Sequence, residues 1–151
     1  MSANKPKKSW VDKIANSKGL PKIVKKGSKK MIVPSPKDVE NIMKKVRKGR
    51  IITINNITHA LSKKYKADTC CPLTTGIFVW ISANASYEDL LDGKKTCTPY
   101  WRTIKSDGTL NAKYPGGELA HAKLLIKEGH KMTKKGTRIM VAGFENKIQK
   151  L

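Results

Sequence analysis

Tyr100, Trp101 and Arg102 stand in one run, with Pro99 before them and Thr103 after. Two aromatic rings beside a guanidinium suit recognition of a flat ligand, since stacking on a nucleic-acid base contributes roughly 1–3 kcal/mol per base. They do not suit bond-making. A phenol titrates near pH 10 and is mostly protonated at neutral pH. Nucleophilic work would fall to Cys97, three residues ahead of Tyr100, yet no histidine accompanies it to take the proton. Cys70, Cys71 and Cys97 make an odd set without the paired Cys-x-x-Cys units of a zinc site. Bridging the adjacent pair would close a strained ring, so all three are read as small buried hydrophobes. His59, His121 and His130 show no ligand spacing, and Asp68, Glu88, Asp89, Asp92 and Asp107 are scattered. No catalytic residue, metal or cofactor is therefore expected.

The charge balance names a partner. Lys and Arg number 32 against 11 Asp and Glu, a formal charge of +21, and so strong a positive field points to nucleic acid. No run approaches the roughly 18 apolar residues of a membrane span. The start, Met1-Ser2-Ala3-Asn4-Lys5, lacks the apolar core of a secretion signal. An intracellular, DNA-associated protein with no membrane partner is expected.

The elements that must position these side chains can be placed from spacing. Residues 1–33 hold ten lysines and one acid, Asp12, and read as a basic N-terminal arm whose lysines favour phosphate contacts. Trp10, Val11, Ile14, Leu20, Ile23 and Val24 could dock that arm on the domain at residues 34–151. Ser35 caps a helix with Pro36 in its first turn and Asp38 at its positive end. Val39, Ile42, Met43 and Val46 supply its apolar face, and Gly49 closes it. A second helix is predicted over 54–65, burying Ile54, Ile57, Leu61 and Tyr65. A third runs from about Leu73 to Ala83, with Leu73, Ile77, Trp80 and Ile81 inward and Thr74, Thr75 and Gly76 near its start. Together they read as a helix-turn-helix. His130–Met132 and Arg138–Ala142 flank a Lys134-Lys135-Gly136 turn, hence a hairpin that could serve as a wing. The fold class is mainly α with a small β hairpin, a winged helix-turn-helix DNA-binding domain.

Thr98-Pro99-Tyr100-Trp101-Arg102-Thr103 is followed by Ser106-Asp107-Gly108, Tyr114-Pro115-Gly116-Gly117 and Leu124-Leu125-Ile126-Lys127-Glu128-Gly129. This series resembles the active-site segment of the alkylguanine-DNA alkyltransferases, with their Pro-Cys-His-Arg-Val motif, Tyr-Ser-Gly-Gly loop and Leu-Leu-x-x-Glu-Gly helix end. The Gly-Arg-Ile-Ile-Thr stretch at 49–53 resembles the approach to their helix-turn-helix. The resemblance covers 34 to about 129. In that family a base is flipped from the duplex into a pocket. By position Pro99 and Arg102 match, Tyr100 replaces the nucleophile, Trp101 the activating histidine and Thr103 the valine. Tyr114 matches the pocket-lid tyrosine, Pro115 replaces serine, Gly116 and Gly117 match, and Glu128 matches the glutamate that orients the histidine. Asn84 takes the place of the hinge asparagine, with an insertion at Ala85–Lys95 behind it.

Without Cys and His the family's transfer reaction is lost, as in the alkyltransferase-like proteins. The resemblance thus implies a lesion pocket of Pro99, Tyr100, Trp101, Arg102, Thr103, Tyr114, Gly116 and Gly117, supported by Glu128. It implies DNA contacts at Asn55, Asn56, Thr74, Thr75, Gly76, Asn84, Lys134 and Lys135. Thr74 and Thr75 stand near the arginine that fills the flipped base's hole, and Ile54 where the family has a phosphate-side tyrosine. Three readings follow: a monomeric, non-enzymatic sensor of alkylated or altered guanine in double-stranded DNA that signals to repair proteins; a general winged-helix or chromatin-associated protein; and a DNA-processing enzyme with altered chemistry, including alkyl transfer to Cys97.

Overall fold

The structure is a computed structural model that describes Lys13, residues 19–94 and residues 97–151. Trp10, Val11 and Ile14 lie outside the described residues. Four α-helices and seven short strands make up the described fold.

The first ordered unit lies inside the lysine-rich segment. Strands β1 (Lys22–Lys26) and β2 (Lys29–Val33) form an antiparallel hairpin closed by Gly27-Ser28. Gly27 supplies the positive φ, 61°, that a two-residue hairpin turn demands at its first position. β2 also pairs in parallel with β4 (Thr69–Cys70), matching Met31 to Thr69 and Ile32 to Cys70. Ile32 is only 1% exposed and belongs to the main core. The folded unit therefore begins before residue 34. The burial depends on a strand partner some forty positions away, and local lysine density gives no sign of it.

Helix α1 (Pro36–Lys44) starts as its residues dictate. Ser35 and Asp38 form a capping box, each side chain accepting from the other's backbone N–H, at 3.1 and 3.0 Å. Val39, Ile42, Met43 and the following Val46 are buried. Asp38 also accepts from the Tyr65 hydroxyl at 2.6 Å, tying α1 to the end of α2 (Ile54–Lys64). Its carboxyl titrates below the usual range: burial opposes ionisation, but bonds from Tyr65 and Ser35 outweigh it. α2 buries Ile57 and Leu61 as expected, with Ile54 and Tyr65 half-buried.

Helix α3 (Pro72–Leu91) corrects two expectations. It runs 20 residues, well past Ala83, and its buried face is Thr75, Val79, Ser82, Ala83, Ala85 and Ser86. Leu73 and Ile77, assigned inward, are 73% and 45% exposed. Small and hydroxylated side chains face the interior because α1 and the turn at Tyr100–Arg102 pack against this helix. A buried Ser or Thr can return its hydroxyl to the helix, as Thr75 does in donating to the Cys71 carbonyl at 2.8 Å.

Beyond α3, a 3₁₀ turn (Tyr100–Arg102) leads into β5 (Thr103–Ile104), which pairs in parallel with β3 (Ile52–Thr53). Helix α4 (Gly117–Lys127) and the hairpin of β6 (Met132–Lys135) and β7 (Arg138–Val141) complete the fold, the hairpin where the sequence places it. A second core cluster, with Ile51, Ile104, Leu110, Leu125 and Val141, lies beside the first, and Trp101 packs against both. No helix among the described residues is long and apolar enough to cross a membrane.

Candidate functional site

A cleft of about 600 Å³ opens between the C-terminal half of α3 and helix α4. Tyr87 and Leu90 line it from α3, Ala120, Lys123, Leu124, Ile126 and Lys127 from α4, and Pro115 and Gly116 from the preceding loop; Tyr100 lines it from the 3₁₀ turn. Its walls are chiefly apolar, with Lys123 and Lys127 exposed beside it. A concave, mostly apolar space of this size is what a small ligand or a single extruded base requires.

Gly116 shapes the loop. Its φ is 82°, and a Cβ there would stand 2.5 Å from the Ala120 Cβ, so any other residue would push the loop off α4.

Tyr100 is 3% exposed, held edge-on between Trp101 and Tyr114 with ring centroids 5.3 and 5.4 Å away. Burial, with smaller contributions from Cys97 and Tyr87, pushes its hydroxyl up to about 12. It is thus a neutral phenol throughout the physiological range, a hydrogen-bond donor and not a nucleophile.

The remaining residues of the expected pocket sit behind this surface. Tyr114 is buried and donates to the Thr103 carbonyl at 2.9 Å. Thr103 is fully buried in β5. Trp101 braces both core clusters, and Pro99 and Gly117 flank the site without lining the cleft. Arg102 is structural: its Nε and Nη2 donate to both oxygens of Glu128, at 2.6 Å for the shortest, while Nη1 donates to the Val46 carbonyl at 2.7 Å. Of the eight residues named from the resemblance, Tyr100 and Gly116 line the cleft. The lining of α4 was legible in principle, because Ala120, Lys123, Leu124 and Lys127 recur at helical spacing just after Gly116-Gly117. Tyr87 and Leu90 were hidden in the stretch read as an insertion.

His121, which shows no ligand spacing in the sequence, is buried behind Tyr114 with ring centroids 4.8 Å apart. Its Nδ1 accepts from the Asn111 backbone N–H at 3.3 Å, so the other nitrogen carries the proton and donates to the Trp101 carbonyl at 2.7 Å. Burial drops its pKa to about 4. A histidine held neutral stabilises the fold above its unfolded pKa near 6.5. That contribution falls as pH drops toward about 4 and levels off below it. We expect a loss of about 3 kcal/mol across this window that His121→Gln does not show, measured by urea unfolding at stepped pH.

The cysteines divide. Cys70 is buried as expected, and burial pushes its thiol up, whereas Cys71 and Cys97, read as buried, are only half-buried. Cys97 is pushed up too, by burial first and then by Asp89, against a smaller opposing effect of Arg102. It stays a protonated thiol, poorly suited to attack. Among the described residues no group of three or more His, Cys, Asp or Glu side chains could hold a metal.

The surface positions separate as well. Asn55 is exposed at the start of α2, its backbone N–H donating to the Ser106 hydroxyl at 3.2 Å. Asn56 is partly spent on the cap, accepting from the Thr53 N–H at 2.8 Å. Thr74 and Gly76 are half-exposed on α3, whereas Thr75 is fully buried and is a packing residue. Asn84 lies inside α3 and donates to the Trp80 carbonyl one turn back, at 2.9 Å, so the helix continues where a hinge was expected. Lys134 and Lys135 are exposed on β6.

No protein-family model matches the chain, and no curated protein matches it. In architecture the chain is similar to solved protein–DNA complexes. Two such structures superpose, each at 15% identity and each covering 77% of this chain and 94% of theirs. They are S. pombe Atl1 in complex with damaged DNA containing O6-carboxymethylguanine, at a TM-score of 0.55, and S. pombe ATL in complex with DNA, at 0.54. At this identity the likeness is one of fold.

Proposed function

We propose that this protein binds duplex DNA and recognises alkylated or otherwise altered guanine without transferring the alkyl group, as a monomer that marks the lesion for repair proteins. The observation that carries the reading is Tyr100. At the position of the family's nucleophile it presents a buried, neutral phenol to a cleft large enough for an extruded base. Such a group can stack against a base or donate to it, and it cannot act as a thiolate does. The α2–α3 pair supports a helix-turn-helix role, with Asn55, Thr74 and Gly76 on its accessible side. The β6–β7 hairpin, with Lys134 and Lys135, supports the role of wing. The structural neighbours, solved in complex with DNA, support the DNA-binding part of the reading.

One observation favours the second reading, a general DNA-binding protein. α3 carries no Lys or Arg along its 20 residues, so it lacks the arginine that holds a flipped base's place in the family. Alkyl transfer to Cys97 fits poorly with its raised, protonated thiol.

Binding to one duplex with and without an O6-alkylguanine, compared at matched, moderately high salt, separates the three readings. The expected result is tighter binding to the lesion duplex with no mass added to the protein. Equal affinities support general binding, and a covalent mass gain supports an enzyme.

A further inference from the structure

We propose that the β1–β2 hairpin is a separate DNA-backbone contact, a clamp of paired lysines that grips the duplex beside the α2–α3 pair. It rests on the reading that the protein binds DNA. The strand register sets Lys25 directly opposite Lys30 and Lys26 directly opposite Lys29. Side chains opposite each other on an antiparallel pair come within about 5 Å, and like charges there destabilise the strand pairing. Because successive residues face opposite sides of a strand, one pair emerges on each face of the tip.

All four lysines are exposed, and among the described residues none of them forms an ion pair. The carboxylate beside them, Asp68, is occupied with the backbone of Lys30, accepting its N–H at 2.7 Å. A tip that repels itself and lacks counter-charge within the described fold fits a polyanion that supplies it.

The hairpin is also fixed in place. β2 is laced to β4, and a single residue, Cys71, separates β4 from the first residue of α3. A groove of about 630 Å³ lies at this junction, lined by Met31, by Asp68, whose carboxylate holds the Lys30 N–H, and by Asn55, Thr58, His59 and Ser62 of α2. Asn55, Thr58 and Ser62 are neutral donors and acceptors suited to phosphate and sugar oxygens. The Lys26–Lys29 pair lies on the same face of the hairpin as Met31 and extends the surface that carries Asn55 and the start of α3. The turn itself is Gly27-Ser28, without an apolar side chain to insert into lipid, and this favours duplex DNA over a membrane.

The test is the salt dependence of binding to an undamaged duplex, for the full chain and for Lys25→Gln/Lys26→Gln/Lys29→Gln/Lys30→Gln. Each phosphate contact contributes about 0.9 to the log-log slope. The quadruple variant should therefore flatten the slope by about 2 to 4, while Lys45→Gln/Lys48→Gln/Lys147→Gln/Lys150→Gln, with the same charge change, flattens it by less than about 1. A second variant, Lys25→Glu/Lys26→Glu, converts both repulsive pairs into attractive ones; it should melt no lower than the wild type and bind duplex more weakly. Equal flattening in the two quadruple variants would reduce the effect to overall charge and overturn the clamp. An unchanged slope, with aggregation of the hairpin variant, would make the lysines guards of an exposed strand edge. Loss of binding to phosphatidylserine vesicles with duplex binding intact would assign them to a membrane. If the wild type binds duplex and the hairpin variants do not differ from it, the clamp alone falls; a wild type that does not bind duplex removes both readings.

Discussion

Glu128→Gln should lower the stability of the folded protein by about 3–5 kcal/mol, because it leaves the Arg102 guanidinium buried with its partner's negative charge removed. The side chains of Arg102 and Glu128 are 15% and 8% exposed, and three nitrogen-to-oxygen bonds join them. The pair closes the end of α4 onto the 3₁₀ turn that carries Tyr100, and its fourth bond, to the Val46 carbonyl, reaches the chain just after α1. Its loss should therefore loosen the cleft as well as the core. Burial alone would raise the Glu128 carboxyl, but the bonds from Arg102 win and hold it below the usual range. The sign follows: the pair stabilises the fold above the unfolded carboxyl pKa and is lost as pH falls through the lower, folded one. Urea unfolding at pH 7 and at stepped acid pH measures both effects. A loss under about 1 kcal/mol at pH 7 would show that water reaches the pair and screens it as it does a surface bridge.

Tyr100→Ala is expected to act twice. It removes a buried aromatic ring from between Trp101 and Tyr114, at a cost of about 3–5 kcal/mol in stability. It also removes the group on which the proposed lesion preference would rest, so on that proposal the variant should bind plain and alkylguanine duplex alike. Tyr100→Phe separates the two effects. It keeps the ring packed and loses only the hydroxyl, so it should retain most of the stability while giving up about 1–3 kcal/mol of lesion binding, as expected for a lost buried donor. Affinity for both duplexes, measured with the melting curve of each variant, distinguishes a recognition role from packing. Unaltered lesion preference in Tyr100→Phe with a stable fold would place recognition on the ring alone, through stacking. Unaltered preference in a folded Tyr100→Ala would remove Tyr100 from recognition altogether.

Much of the scaffold was legible because its determinants are local. Ser35, Pro36 and Asp38 announce α1 through capping geometry that needs nothing beyond four consecutive residues. Val39, Ile42, Met43, Ile57 and Leu61 lie at helical spacing and are buried accordingly. The Lys-rich turn of the β6–β7 hairpin is equally local. For the site, motif order linked Tyr100 with Gly116, and both line the cleft. Position in a motif does not say which way a side chain points, however. Thr103, Tyr114 and Trp101 keep their places in the order and face the interior.

The amino-acid sequence by itself determined the charge, the absence of a Cys-His pair at the motif, the helix starts and the loop glycines, since each depends on composition or on a few neighbouring residues. Tertiary structure decided that Ile32 is core, that Leu73 and Ile77 are surface, and that Tyr87 and Lys123 share a cleft with Tyr100. Burial and proximity are properties of residue pairs brought together from distant positions. A strand partner 38 residues away for Ile32, or a helix laid across α3, leaves no periodic trace in the segment it covers.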